Sequence, residues 1–142
     1  MKKYYAVIDT NVLVSSFIKE KSLPWWIIHF VKEKVIIPLL HQDIVDEYKE
    51  VLSRNKFGLD ETAIQTIIDS FITNGVFLEK TDSSETFTDS DDVVFYEIVL
   101  TGRKTSDAYL VTGNKRHFPI IDFVVSPSEM IEILKNDGVD IS

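Results

Sequence analysis

Cysteine is missing from this 142-residue chain. Its absence excludes a disulfide framework, a thiolate zinc site and a cysteine nucleophile. Histidine is scarce: three residues give little support to a histidine-rich zinc site. Long apolar runs are also lacking. The longest, "PWWIIHFV" and "VIIPLL", are too short to span a bilayer. The opening "MKKYYAVID" carries two lysines but no long apolar segment and no small-residue cleavage site. No secretory signal is therefore expected, and a soluble cytoplasmic protein is the default. Positive charge is in deficit: 15 Lys and Arg stand against 23 Asp and Glu, for a net charge of −8. That balance argues against a broad basic surface for gripping nucleic acid. It still allows a nuclease whose metal ions offset clustered carboxylates.

A hydrophobic content of 44% over this length is enough for one domain with a sizeable core. No repeat, low-complexity tract or linker interrupts it. Strand-like and helix-like stretches alternate. "YYAVID", "VIIPLL", "VFLEK", "DAYLVT" and "FVVS" read as strands, the second bent or ended at Pro38. "NVLVSSFI", "LPWWIIHFVKEK", "HQDIVDEYKEVLSR", "DETAIQTIIDSFITNG", "SDDVVFYEIVL" and "SPSEMIEILKND" read as helices. Gly75 marks a helix stop, and Ser126, Pro127 and Glu129 form an N-cap, N1 and capping-box set. Short apolar strands alternating with helices predict an α/β domain: three layers, α/β/α, around a mainly parallel sheet. Ligands in such sheets bind at the carboxyl ends of the strands. Asp9 ends the first strand, and Thr112 to Asn114 follow "DAYLVT", so both belong to one rim.

Acids gather on that rim. The triplet Asp9-Thr10-Asn11 offers more polar groups than one helix cap needs, so one residue can cap while another faces a ligand. The helix "HQDIVDEYKEVLSR" carries four acids. Asp43, Asp46 and Glu50 read as a solvated face. Glu47 lies beside the apolar stripe, one turn from Ile44 and Val51, and is the one placed to reach inward. Asp89, Asp91 and Asp92 precede or open another helix. Three acids within four positions exceed a cap, and like charges so close call for a cation. Mg²⁺ or Mn²⁺ is the simplest, since hard cations take carboxylate and water oxygens. Asn114 is an oxygen ligand or a turn residue. Lys115 and Arg116 offer a handle for phosphates, or a solvated loop. His117 reads as structural or solvated.

The ordered set "VIDTNVLVS", "DEYKEVL", "DSDDVVFYEIVL" and "DAYLVTGNKRHF" resembles a PIN domain, over residues 4–134. More narrowly, it resembles the branch whose members are toxin components of toxin–antitoxin systems. The resemblance implies a single PIN-like domain over residues 1–142 and a metal-dependent endoribonuclease acting on single-stranded RNA. It puts the family's acids on Asp9, Glu47 and Asp92. Asp92 is preferred over its neighbours because Phe95 and Val99 then fill the apolar spacing that follows. Asp91 and Asn114 join the three as metal groups, with Asp89 as an auxiliary. Thr10, Asn11, Lys115 and Arg116 become substrate-binding or orienting residues. An antitoxin partner with a basic side chain for the pocket, and a homodimer, are implied as well. The chain departs from the pattern at Asn114, where relatives often have Asp. Asp107 begins the preceding strand and is too far from the rim to replace it. Asn114 and the acidic net charge favour an alternative, a catalytically weak PIN-like RNA-binding or regulatory module. Other acidic α/β phosphotransfer enzymes fit less well: a haloacid-dehalogenase-type phosphatase needs a second Asp where Asn11 stands, and a receiver domain lacks a convincing phospho-acceptor.

Overall fold

A computed structural model describes residues 2–141. Five strands are threaded with six helices: β1 (Tyr4–Ile8), α1 (Thr10–Ile18), α2 (Leu23–Lys32), β2 (Ile36–Leu40), α3 (Gln42–Leu52), α4 (Glu61–Asn74), β3 (Val76–Phe77), α5 (Val93–Arg103), β4 (Tyr109–Val111), β5 (Val124–Val125) and α6 (Pro127–Asn136). All strand pairings are parallel, in the order β3-β2-β1-β4-β5. The expected three-layer α/β/α architecture is the one observed. The chain first builds outward from β1 to β2 and β3, then crosses back to β4 and β5. Reversing direction while keeping right-handed crossovers puts the α5 crossover on the opposite face of the sheet. Accordingly α2 packs with α4 and α6, while α5 lies against β1, β2 and β4.

Covering both faces explains the strand sequences. Every residue of β2 is buried, as are four of the five in β1, so the strands read as continuous apolar runs rather than alternating ones. Of the two outcomes expected at Pro38, a bend or an end, the second does not occur: the strand runs through it. Pro38 sits in the middle of β2, opposite Ala6. Leu40 accepts from the Leu78 amide at 2.8 Å on the β3 side. Two residues earlier, Pro38 turns its backbone to that same side. β3 pairs only with Leu39 and Leu40, so the missing Pro38 N–H falls below the paired stretch and no ladder bond is lost.

The bend that brings α4 into β3 depends on Gly75. Its backbone is extended (φ −94°), so the left-handed freedom of glycine is not what is used. Space is. A Cβ there would lie 2.5 Å from the Phe71 carbonyl oxygen, 2.7 Å from Leu40 Cδ1 and 2.8 Å from the Pro38 carbonyl oxygen. Gly75→Ala is therefore expected to destabilise the protein by about 1–3 kcal/mol, the usual cost of overpacking. In urea unfolding the midpoint should fall with an unchanged slope; a midpoint at the wild-type value would show that the chain closes over the extra methyl at no cost.

Candidate metal-binding cleft at the switch point

The carboxyl ends of β1 and β4 meet where the chain reverses its direction across the sheet, the position at which open α/β sheets bind ligands. Asp9 follows β1 and Thr112 follows β4, and the two residues touch. Thr112 Oγ1 donates to Asp9 Oδ2 at 2.7 Å. Asn11 Nδ2 donates to the same oxygen at 3.1 Å, while Asn11 Oδ1 accepts from the Gly113 amide at 3.1 Å. Thr112 Oγ1 also accepts from the Asn114 amide at 3.0 Å. A carboxylate, two side chains and two amides thus lock the start of α1 to the turn after β4. Gly113 takes part by leaving room: a Cβ there would crowd Asn11 Oδ1 at 3.3 Å.

Helix capping separates this rim from the rest of the molecule. The helices α2, α3, α4 and α6 each have a side chain that accepts from a first-turn amide: Ser22, His41, Asp60 and Ser126. Ser126 and Glu129 complete the expected capping box. The N-cap residues of α1 and α5 are both acids, Asp9 and Asp92, and neither side chain caps. Asp9 leaves α1 without a side-chain cap, at a cost of roughly 1 kcal/mol, whereas α5 continues the 3₁₀ turn Ser90–Asp92 that Asp89 caps; both carboxylates line the same cleft. The positive ends of both helix dipoles still favour the charge.

That cleft, about 340 Å³, is lined by Asp9, Glu47, Asp89, Asp91 and Asp92, joined by Asn114 and His117. Glu47 reaches it because its neighbour Tyr48 is anchored. The Tyr48 ring is fully buried, edge-on to Phe71 with centroids 5.6 Å apart, and its hydroxyl donates to the carbonyl of Ile8, the residue before Asp9. Asp43, Asp46 and Glu50 stay exposed, as expected: Asp43 pairs with Lys80, Asp46 accepts from Gln42, and Glu50 from Arg54. Asp89 caps the 3₁₀ turn Ser90–Asp92 by accepting from the Asp91 amide. Asp91 is exposed on the cleft rim.

The electrostatics of the cleft are strained. Burial is the main cause that holds Asp9 above the ordinary carboxylate range, against the opposing hydrogen bond from Thr112. Glu47 is raised by burial and then by the charges of Asp91 and Glu50. Asp92 is pushed up to about 6, first by burial and then by Asp9 and Asp89. Its Oδ2 is buried and accepts no hydrogen bond; the His117 ring nitrogen Nδ1 lies 3.4 Å away. Thr10 Oγ1 is buried without a partner too. It leans on Glu47 and offsets part of that residue's rise, but too loosely to count as a hydrogen bond.

These donors suit a hard divalent cation. They are carboxylate, amide and hydroxyl oxygens, and one carboxylate oxygen is buried with nothing to accept from. Among the described residues, no three acid or histidine groups already stand as a closed cage, as expected of carboxylates that repel one another with nothing between them.

Of the residues singled out from the sequence, Asp9, Thr10, Asn11, Glu47, Asp91, Asp92 and Asn114 line this one cleft, and Lys115 and Arg116 do not. Lys115 is held away by Glu129 at 2.8 Å, and Arg116 is exposed. Asn11 spends both ends of its amide inside the protein, so it acts as a strut between α1 and the turn. Asn114 has φ −137°, so no left-handed turn requires it. Asp107 lies before β4, away from the carboxyl ends, as expected. Sequence reasoning placed Thr112 on the rim and read His117 as structural or solvated, giving neither a role in the site, and it passed over Arg54 and Phe57. The 3₁₀ turn Lys115–His117 carries His117 back beside Asn114, whose Nδ2 is 3.4 Å from His117 Nδ1. Arg54 lies past the end of α3, in extended backbone before the 3₁₀ turn Asn55–Phe57, so helical spacing gave no clue to it.

A family model for the PIN domain matches residues 5–116, and the chain belongs to the PIN domain family. PIN domains are as a class nucleases, enzymes of the hydrolase type. No curated protein and no solved structure matched the chain. No helix among the described residues is long and apolar enough to cross a membrane.

The strain on Asp92 has a measurable sign. Its folded pKa lies above the unfolded value, so the folded state holds the proton more tightly. Asp92 therefore imposes no penalty below about pH 4 and its full penalty above about pH 6. In EDTA, Asp92→Asn should stabilise the protein at pH 8 by about 1 kcal/mol, after allowance for solvent screening. The gain should fade as the pH drops through 6 to 4. Thermal unfolding at both ends of that range checks it: an equal effect at pH 4 and pH 8 would mean that charge is not the cause.

Proposed function

We propose that the protein is a divalent-metal-dependent endoribonuclease that cuts single-stranded RNA, with Asp9, Glu47 and Asp92 as the residues that hold Mg²⁺ or Mn²⁺. The observation that carries this reading is the convergence on one cleft of Asp9, which starts α1 without capping it, Glu47, and Asp92, whose Oδ2 is buried without a hydrogen bond. Asp91 and the Asn114 carbonyl oxygen complete the donor set. A cation bound there supplies Lewis-acid stabilisation of charge on the scissile phosphate and lowers the pKa of a water. The protein's own part is orientation. Thr112 and Asn11 fix one oxygen of Asp9 and leave the other for a ligand. Tyr48 fixes the helix that carries Glu47. The free Thr10 hydroxyl is placed to donate to a ligand oxygen. Arg116, exposed outside the cleft, is left to meet the backbone of an RNA beyond the cut, and Lys115 joins it only by releasing Glu129. On this reading the protein works in the cytoplasm as the toxin of a toxin–antitoxin pair, as a homodimer. A net charge of −8 and an acidic cleft suit an antitoxin that offers a basic side chain.

A second reading keeps the fold and drops the chemistry. Asn114 removes one negative charge from the position where many relatives carry Asp, which favours an RNA-binding or regulatory module of weak activity.

Cleavage of a labelled single-stranded RNA separates the two. Wild-type protein should cut it with Mg²⁺ or Mn²⁺ and stop in EDTA. Asp9→Asn should lower the rate by about 100-fold or more, the upper end of what even outer-shell changes cost a metal site. Folded wild-type protein that cuts no RNA with either metal would hand the case to the regulatory reading. A readout free of activity runs beside it. Saturating Mn²⁺ should raise the thermal midpoint of the wild type, since it binds only the folded state, and should do so less for Asp9→Asn and more for Asn114→Asp.

A further inference from the structure

The acids occupy only part of the cleft. Val14, Val51 and Phe57 add apolar surface to the lining, which Ser15 and Arg54 also join. Helical spacing brings the two valines there. Val14 follows Thr10 by four positions in α1, and Val51 follows Glu47 by four in α3. Each polar rung is therefore succeeded, one turn or about 6 Å along, by an apolar rung on the same face. Phe57 arrives from the 3₁₀ turn Asn55–Phe57. Its amide donates to the Arg54 carbonyl at 3.1 Å, and Gly58, at φ 58°, closes the turn. The ring is backed by the core. Lys56 Nζ lies over the ring, 5.1 Å from its centroid, so a base that stacks there displaces this exposed lysine side chain. Glu50 holds the Arg54 guanidinium through two bonds, at 2.9 and 3.0 Å.

We propose that Val14, Val51 and Phe57 form a subsite for one unpaired nucleobase, stacked on Phe57, beside the acids that face its phosphate. The proposal rests on the nuclease reading for the phosphate wall and adds the wall that reads the base. The two walls stand about one helical turn apart, on the scale that separates a nucleotide's phosphate from its base, in a cleft of small-ligand size. A nucleotide has the matching pair of ends, one anionic and one flat and apolar. An apolar peptide side chain lacks the first. A duplex withholds the second, because its bases are stacked and paired, whereas an unstacked base in a single strand lies open to an aromatic side chain. Stacking of this kind tolerates any base, so the subsite selects for unpaired RNA rather than for a sequence.

Binding, not cleavage, tests it. The probe is a short single-stranded RNA carrying one 2-aminopurine, titrated with the full chain in Ca²⁺ to slow chemistry, beside the same RNA made abasic at that position. Wild-type protein should quench the 2-aminopurine and bind the abasic RNA about tenfold more weakly. Phe57→Leu keeps a core-filling side chain without the ring. It should lose about tenfold for the intact RNA and nothing further for the abasic one, and Phe57→Trp should restore binding. Phe57→Leu that binds the intact RNA like wild type, or weakens both RNAs alike, overturns the subsite. Phe57-dependent binding by a protein that cuts nothing keeps the subsite and defeats the nuclease reading. Cutting without any dependence of binding on Phe57 does the reverse, and failure to bind either RNA overturns both.

Discussion

The Asp9 carboxylate is 6% exposed, and the candidate site is arranged around it. A carboxylate that deep is costly unless its oxygens are satisfied. Two donors meet one oxygen, and they come from opposite ends of the chain: Asn11 from the turn that starts α1, Thr112 from the end of β4. The hydrogen bonds can form only if β1 and β4 are neighbours in register, as the pairing of Ile8 with Val111 makes them. The buried acid and the strand order thus depend on each other. A sheet assembled in any other order would leave Asp9 buried without its Thr112 partner.

A second constraint is charge. Five carboxylates line one cleft, and one of them, Asp9, begins a helix that no side chain caps. The repulsion and the lost cap each cost on the order of a kcal/mol. The core beneath offsets them. Tyr48, Phe71 and Phe95 are fully buried together under the cleft, and burying one such side chain contributes about 1.5–3 kcal/mol. Stability is gathered in the apolar layers and spent at the carboxyl ends of the strands, the usual division in a protein whose site must stay charged and open.

The cleft's two halves come from one structural device. In both α1 and α3, the face that carries a polar group at one turn carries valine at the next. The turn after α3 then adds Phe57. Acidic residues dominate the surface as a whole, so a polyanionic substrate is not drawn in by net charge. On the proposed reading, recognition is local, through a cation held among the acids and through Arg54 and the apolar residues that line the same cleft. Lys115, the nearest lysine in sequence, is spent on Glu129 and so on fixing α6 to the turn after β4.

Much of this was legible in the sequence, for identifiable reasons. Apolar periodicity determined the helices and strands, because burial on one stripe or on both faces leaves a mark at each position. Local hydrogen bonding determined the α6 capping box, which needs only four consecutive residues. The excess of acids at Asp9-Thr10-Asn11 and at Asp89 to Asp92, and the inward face of Glu47, could likewise be read from neighbours a turn apart. What the sequence could not determine was everything that joins residues distant along the chain. Thr112 is an unremarkable strand-end threonine until β4 lies beside β1. Whether Pro38 would bend or end its strand was open until the two-residue length of β3 left its missing N–H without a partner to lose. Lys115 and Arg116 looked like cleft residues until Glu129 drew Lys115 aside, and His117 looked solvated until a 3₁₀ turn brought it to Asp92. Periodicity is local and survives in one dimension. Partnership between a carboxylate and a hydroxyl 103 residues away exists only once the core has folded and the strands have chosen their order.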